Sequence, residues 1–249
     1  MEIKLDRAAP VIFKPCVTST NTVLKGLAAG GLADGFTLAA LQQTRGRGRL
    51  GRSFTSPEGG LYMSMLLYTG TDLARTATLT PCAAVAVCRA ISRVCGITPD
   101  IKWPNDLQLG GRKLCGILTE SGSLGGRYYA IIGLGINVNT DCTLFPEDVR
   151  DIAVSLYEVL GAPVDIEAML VAVVEELDRM FSAWKADTQC CLADYRRLCI
   201  STNRSVTLIR GDERRAADSL GIDENYALIV SVNGTEEHIT MGEVTLRNA

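Results

Sequence analysis

The spacing of strand-like residues changes at Ile200, and that change limits what the chain can fold into. Beyond it, strand-like segments are short: Val206 to Ile209, Arg214 to Gly221, Ala227 to Val232, Glu236 to Thr240 and Val244 to Leu246. Asp223-Glu224-Asn225 and Asn233-Gly234 mark turns between them. Segments of this kind predict a small antiparallel barrel over residues 200–249. Residues 1–199 mix longer helices with apolar strands and read as a larger, separate domain.

Within that larger part the clearest helix runs from Ile166 to Lys185. Ile166, Met169, Leu170, Val173, Val174, Leu177, Met180, Phe181 and Trp184 keep helical spacing, and Asp165 is placed to cap it. Thr76 to Cys95 is apolar nearly all round, as in a buried helix, with Gly96 as its stop. Val149 to Leu160 and Leu192 to Leu198 also read as helices. Ser19-Thr20-Asn21 precedes Val23, Leu24 and Leu27, the pattern of a helix start. Val11 to Val17, Phe36 to Gln42, Leu61 to Tyr68 and Tyr128 to Val138 read as strands. Leu61 to Tyr68 is apolar enough to be covered on both faces.

Between two of those strands stands Gln43-Thr44-Arg45-Gly46-Arg47-Gly48-Arg49-Leu50-Gly51-Arg52. From Arg45 to Arg52 there are four arginines and three glycines in eight positions. Glycine lets main-chain N–H groups approach a ligand, and arginine presents a fork matched to carboxylate or phosphate oxygens. The loop therefore suits an anion. A solvated basic turn and an Arg-Gly RNA-binding segment are the other readings of the same residues. The net charge of −3 argues against a general nucleic-acid binder. Nine cysteines without a CxxC pair read as free thiols in a reducing, cytoplasmic setting. With a single histidine, His238, no zinc site is expected. The N-terminus has no signal-peptide profile, and no uncharged apolar run reaches membrane-crossing length.

A hairpin is expected around Asp100 to Thr119, interrupted by Trp103-Pro104-Asn105-Asp106 and turning at Gly110-Gly111. It brings Asn105, Asp106 and Lys113 near one another. Gly133-Leu134-Gly135 follows a strand, but Val138 stands where a dinucleotide fingerprint needs its third glycine, so that fold is rejected. A phosphate-binding P-loop is also rejected, because no lysine is followed by Ser or Thr.

Several motifs now occur in one order: Ser19-Thr20-Asn21, the Gln43 to Arg52 loop, Ser56 to Ser64 (SPEGGLYMS), Lys102 to Asp106 (KWPND), Arg112 to Leu118 (RKLCGIL), Gly133 to Asn139, and Gly242 to Arg247. Together they resemble the biotin protein ligases, the biotin–[acetyl-CoA-carboxylase] ligase family, over nearly the whole chain. The resemblance is to the short form. No winged-helix segment precedes Val11, so DNA binding is not implied. The implied fold is α+β, with a mixed β-sheet catalytic domain flanked by helices, class II synthetase-like, and a C-terminal SH3-like β-barrel. Lipoate protein ligases are the nearest alternative.

The resemblance implies two steps. Biotin carboxylate attacks the α-phosphate of ATP to give biotinyl-5′-AMP, and a lysine of a biotin carboxyl carrier domain then takes the biotinyl group. Ser19, Thr20, Asn21, Gln43, Arg47, Gly48, Arg49 and Lys113 are the implied biotin site. Arg47, Arg49, Arg52, Phe54, Asn105, Lys113 and Asn137 are the implied ATP and adenylate site. Lys113, Arg49 and Asp106 are the implied catalytic residues, with Asp106 orienting or deprotonating the acceptor lysine. Mg2+ is expected on the phosphates, with no direct protein ligand. Phe54 stands where the family usually has tryptophan, which keeps an aromatic face and removes an indole N–H. Biotin, ATP and the carrier domain are the expected partners, a homodimer is compatible, and neither DNA nor membrane is expected. The three loop glycines and mutually repelling arginines predict a loop that is mobile without ligand and closes over the adenylate.

Overall fold

The computed structural model describes residues 2–3, 5–240 and 242–246. Its strands are β1 (Glu2–Ile3), β2 (Val11–Val17), β3 (Thr37–Gln43), β4 (Leu61–Gly70), β5 (Asp100–Lys102), β6 (Asp106–Leu109), β7 (Arg112–Leu124) and β8 (Arg127–Ile136), followed by β9 (Arg204–Arg210), β10 (Glu213–Ile222), β11 (Leu228–Val232), β12 (Thr235–Ile239) and β13 (Glu243–Leu246). The α-helices are α1 (Thr20–Ala28), α2 (Leu79–Cys95), α3 (Glu147–Arg150), α4 (Leu156–Leu160), α5 (Ile166–Ala186) and α6 (Leu192–Leu198).

The first eight strands form one mixed sheet in the order β1-β2-β3-β4-β8-β7-β6-β5. Only β2 and β3 run parallel; a helical crossover, α1, joins them as parallel pairing requires. Central β4 is covered on both sides, as its apolar run predicts. Leu61, Met63, Met65 and Leu67 point into the main core with α2 and α5, while Leu66 points to Leu24 and Ala28 of α1. Ala74–Cys95 is long and apolar enough to cross a membrane by composition, yet 67% of its most apolar window is buried in this fold. Its α-helical part packs on α5 as a core helix. Asp165 caps α5 through Glu167 N and Ala168 N, and Gly96 ends α2 at φ +71°.

One expected helix is broken. Val149 to Leu160 contains the end of α3, then an extended stretch, then α4. The Ile152 carbonyl accepts from Lys113 N at 2.6 Å, and Val154 N donates to the Lys113 carbonyl at 3.0 Å. Bonding across to β7 replaces the intrahelical ladder, and Ser155 then caps α4.

The C-terminal strands form an antiparallel sheet in the order β12-β11-β10-β9-β13. Among the described residues no ladder joins β12 to β13, and Arg247 of the C-terminal motif lies outside them. The core of this sheet, including Val206, Leu228 and Val230, is continuous with the main core. Tyr226 makes much of that junction. Its carbonyl accepts from Trp103 Nε1 at 3.0 Å, and its ring meets Tyr195 edge-on.

Candidate active site

The arginine-glycine loop leaves β3 and folds back as a short hairpin. Arg47 bridges Ser53, Phe54 N donates to the Gly46 carbonyl at 2.9 Å, and Gly48 N to the Arg52 carbonyl at 2.8 Å. Its tip passes through Leu50 at φ +54° and Gly51 at φ +76°, the left-handed region. Two arginines then reach away from the loop. Arg47 Nη1 lies 3.0 Å from Glu120 Oε1. Arg49 donates to Asn105 Oδ1 and to the Gly242 carbonyl, both at 3.0 Å.

Beneath the loop lies a cavity of about 300 Å³. Its floor is made by glycines on adjacent strands. Gly133 and Gly135 are two apart on β8 and share a face. A Cβ on Gly133 would sit 2.0 Å from Asn21 Oδ1, and one on Gly135 would sit 2.4 Å from Phe54 Cε1. Gly116, opposite Gly135 on β7, also has the Phe54 ring above it. The GxG that fails as a dinucleotide fingerprint is thus the surface on which two site residues lie.

At the Asn21 end the polar groups form a connected network. Gln43 Oε1 accepts from Thr20 N at 2.8 Å and from the Thr20 hydroxyl at 3.2 Å, while Gln43 Nε2 donates to Ser56 Oγ at 2.9 Å. The fully buried Ser64 hydroxyl is 2.6 Å from Asn21 Oδ1 and 2.7 Å from Thr20 Oγ1. Asn21 Nδ2 donates to Glu120 Oε2 at 2.9 Å, which connects this network to Arg47. Ser19 lines the cavity and also accepts from Thr22 N as the cap of α1.

Lys113 stands in the middle. The β6–β7 register passes from Leu107↔Cys115 to Gln108↔Lys113, so Leu114 is an extra residue and the strand bulges beside Lys113. The Lys113 ammonium lies 2.7 Å from Asp106 Oδ1 and 5.7 Å from the Phe54 ring centroid. The predicted grouping of Asn105, Asp106 and Lys113 is present, since all three line the cavity. Asn105 Nδ2 is held by the Ile117 carbonyl at 2.8 Å. Trp103 N donates to Ser201 Oγ, and Tyr195 OH donates to the Pro104 carbonyl, so the Lys102 to Asp106 turn is braced from behind. Burial pushes the Cys115 thiol up, so this neighbour of Lys113 stays protonated and is no nucleophile.

Of the residues expected at the site, Ser19, Thr20, Asn21, Gln43, Arg47, Gly48, Arg49, Arg52, Phe54, Asn105, Asp106 and Lys113 line this cavity. Asn137 is not on its lining. It is buried behind Lys113, donating to the Val154 carbonyl at 3.1 Å and the Lys113 carbonyl at 3.4 Å, so its contact with the site runs through the Lys113 backbone. Sequence reasoning missed Ser64, Glu120, and the contribution of Val244 and Thr245 to the wall. A serine inside the apolar run Leu61 to Tyr68 was a signal, because a buried hydroxyl needs a partner. Glu120 shares the face of Gly116 on β7, which was another. Five cations (Arg47, Arg49, Arg52, Lys102 and Lys113) and one carboxylate (Asp106) line the cavity, so it suits a strongly anionic ligand.

The model of the biotin/lipoate A/B protein ligase family matches residues 13–137. The bifunctional ligase/repressor BirA of Bacillus subtilis is 34% identical over 241 residues, covering 95% of this chain and 74% of that protein. The biotin–[acetyl-CoA-carboxylase] ligase of Mycobacterium tuberculosis is 29% identical, covering 91% of this chain and 85% of the relative. Among solved structures, the biotin protein ligase of Aquifex aeolicus in complex with biotin and ATP superposes with a TM-score of 0.81 at 28% identity, covering 96% of this chain and 99% of that one. The chain therefore belongs to the biotin/lipoate A/B protein ligase family.

Proposed function

We propose that the cavity activates biotin as biotinyl-5′-AMP and passes the biotinyl group to a lysine of a biotin carboxyl carrier domain. The observation that carries this reading is the arrangement along the glycine floor: neutral amide and hydroxyl groups around Asn21, a cationic wall of arginines, and Lys113 beside the Phe54 ring. Thr20, Asn21 and Gln43 offer donors and acceptors to a ureido ring, and Ser64 and Glu120 hold them in place. Lys113, Arg47 and Arg49 would face the carboxylate and the phosphates.

In the first step a biotin carboxylate oxygen bonds to the α-phosphorus, and the bond to the β-phosphate bridge breaks to release pyrophosphate. Carboxylate is already the nucleophile, so the step needs alignment and charge stabilisation rather than a base. Lys113 supplies charge to the carboxylate and α-phosphate oxygens. In the second step the acceptor amine attacks the biotinyl carbonyl, AMP leaves with the bonding electrons, and the amine loses a proton. Asp106 is the carboxylate on the cavity wall that could receive or direct it, and its ion pair with Lys113 makes it a positioning residue for the first step as well. Mg2+ fits as a companion of the triphosphate. Among the described residues the cluster with metal-ligand spacing is made of cysteines, none of which lines the cavity. Mg2+ is commonly held through substrate phosphates and waters, where it offsets their charge. Nine free thiols fit a reducing compartment, so we place the protein in the cytoplasm. A homodimer is compatible with this reading and not required by it.

The C-terminal sheet is best read as a second unit from about residue 200. Its Val244, Thr245 and Gly242 meet the cavity or its loop, which supports a part in holding the adenylate. The test of the reading is incubation with ATP, Mg2+, biotin and a purified carrier domain, read by intact mass. A mass gain of one biotinyl group per carrier is expected. Preference for lipoate over biotin would overturn the biotin assignment.

A further inference from the structure

Away from the cavity, three cysteines meet behind the junction of the two sheets. Cys82 lies on α2 and is fully buried, Cys191 is buried, and Cys190 is half-buried. Their sulfurs all lie within 4.8 Å of one another, and Cys190 Sγ and Cys191 Sγ are 3.7 Å apart. A tetrahedral zinc with bonds of about 2.3 Å places its sulfurs about 3.8 Å apart, close to that spacing. Cys82 Sγ is also 3.4 Å from the Tyr226 hydroxyl, which is 3.1 Å from the Thr188 carbonyl. These oxygens, or water, are available to a fourth position.

We infer that Cys82, Cys190 and Cys191 form a thiolate site for one thiophilic d10 cation of the zinc class. The ligands are all sulfur, which selects soft or borderline cations over Mg2+ and Ca2+. On binding, each thiol that becomes a ligand gives up its proton and forms one sulfur–metal bond, with no change of oxidation state.

Its place in the fold gives it a consequence. Cys82 belongs to α2, Cys190 and Cys191 directly precede α6, and Tyr226 belongs to the turn between β10 and β11. The Tyr226 carbonyl accepts from Trp103 Nε1, and Trp103 lines the active-site cavity. An ion held by the three sulfurs would tie α2 to the start of α6, with Tyr226 between the cluster and Trp103 of the turn that carries Asn105 and Asp106.

The experiment is titration of the reduced, full-length protein with Co2+, followed by Zn2+. One equivalent of Co2+ should give a thiolate-to-cobalt charge-transfer band in the near ultraviolet with tetrahedral ligand-field bands, and Zn2+ should bleach both. Losing even an outer-shell partner costs a metal site up to about 100-fold in affinity, so Cys190→Ser should weaken binding by about 100-fold or more. Cys16→Ser, which removes an exposed thiol outside the cluster, should leave it unchanged. Circular dichroism checks that both variants fold. Iodoacetamide labelling of the unmutated protein provides a second readout: Zn2+ should protect Cys190 and leave Cys16 reactive. Absence of the charge-transfer band, unchanged affinity in Cys190→Ser, or equal labelling of Cys190 with and without Zn2+ would overturn the site.

Discussion

Arg49 Nη1 donates to Asn105 Oδ1 over 3.0 Å, joining the tip of the arginine-glycine loop to the turn that follows Trp103-Pro104. The same guanidinium donates to the Gly242 carbonyl, so one side chain connects the loop, the hairpin and the C-terminal sheet across the cavity mouth. A loop held in this way can close over an acyl-adenylate and keep water from it.

Replacing Arg49 with Gly removes both contacts and loosens the loop. Hydrogen bonds from a charged group contribute about 1.5–3 kcal/mol each, so the adenylate should leave at least about tenfold faster. Formation should persist. The readouts are the off-rate of biotinyl-AMP and biotin transfer to bystander proteins. If the variant makes no adenylate and releases none, Arg49 belongs to the chemical step and not to the lid.

Lys113→Ala should lower biotin-dependent pyrophosphate release by about 100-fold or more, the scale of losing one oriented charge donor. Circular dichroism should change little. Near-normal release would remove Lys113 from the chemistry. Asp106→Asn separates the two roles open to that carboxylate. A base for the acceptor lysine affects only transfer from preformed adenylate, whereas a partner that positions Lys113 affects pyrophosphate release as well.

Gly133→Ala places a methyl 2.0 Å from Asn21 Oδ1, in the space between β8 and the first turn of α1, where Asn21 is held by Ser64 and Glu120. Overpacking of this kind costs about 1–3 kcal/mol. A lower melting temperature together with weaker biotin binding is expected. Unchanged binding would mean that Asn21 does not contact biotin.

His238 and Asp223 give the C-terminal sheet a pH dependence. His238 Nδ1 lies 2.7 Å from Asp223 Oδ2, and the hydrogen bonds to Asp223 and then Glu236 raise the histidine above its ordinary 6.5. Burial pushes the Asp223 carboxyl up. The hydrogen bonds from His238, Ala227 N and Asn225 N together outweigh it and hold the carboxyl below its ordinary 3.8. The histidine contribution is therefore complete below pH 6.5 and lost as pH rises through its raised pKa. The aspartate contribution is complete above pH 3.8 and lost as pH falls through its lowered pKa. His238→Ala should lower the melting temperature at pH 5.5 and have less effect at pH 8.5. An equal loss at both would remove the charge pair from the account.

Most strands and the long helices were legible because each obeys a local rule: α5 through its spacing and Asp165, β4 through its unbroken apolar run. The break at Asp151 to Ser155 was not, because it depends on hydrogen bonds to Lys113, some forty residues earlier in the chain. In the same way the cavity lining followed from motifs, whereas Glu120 did not, since its meaning comes from Arg47 and Asn21 in separate elements. Asn137 lay in a motif, but its place behind the Lys113 carbonyl is visible only once β7, β8 and the Ile152–Val154 segment are assembled. The glycine pair on β8 fails as a dinucleotide fingerprint and belongs to the family motif Gly133 to Asn139, but its use as a floor depends on Phe54 and Asn21 arriving above it.

The most direct test of the central claim is biotin-dependent pyrophosphate release in the absence of any carrier, with the product identified by mass. The account predicts a single burst of pyrophosphate, one equivalent per active site, with biotinyl-5′-AMP retained by the protein and consumed when a carrier domain is added. Pyrophosphate release that does not depend on biotin, or bound biotin that never becomes an adenylate, would contradict it.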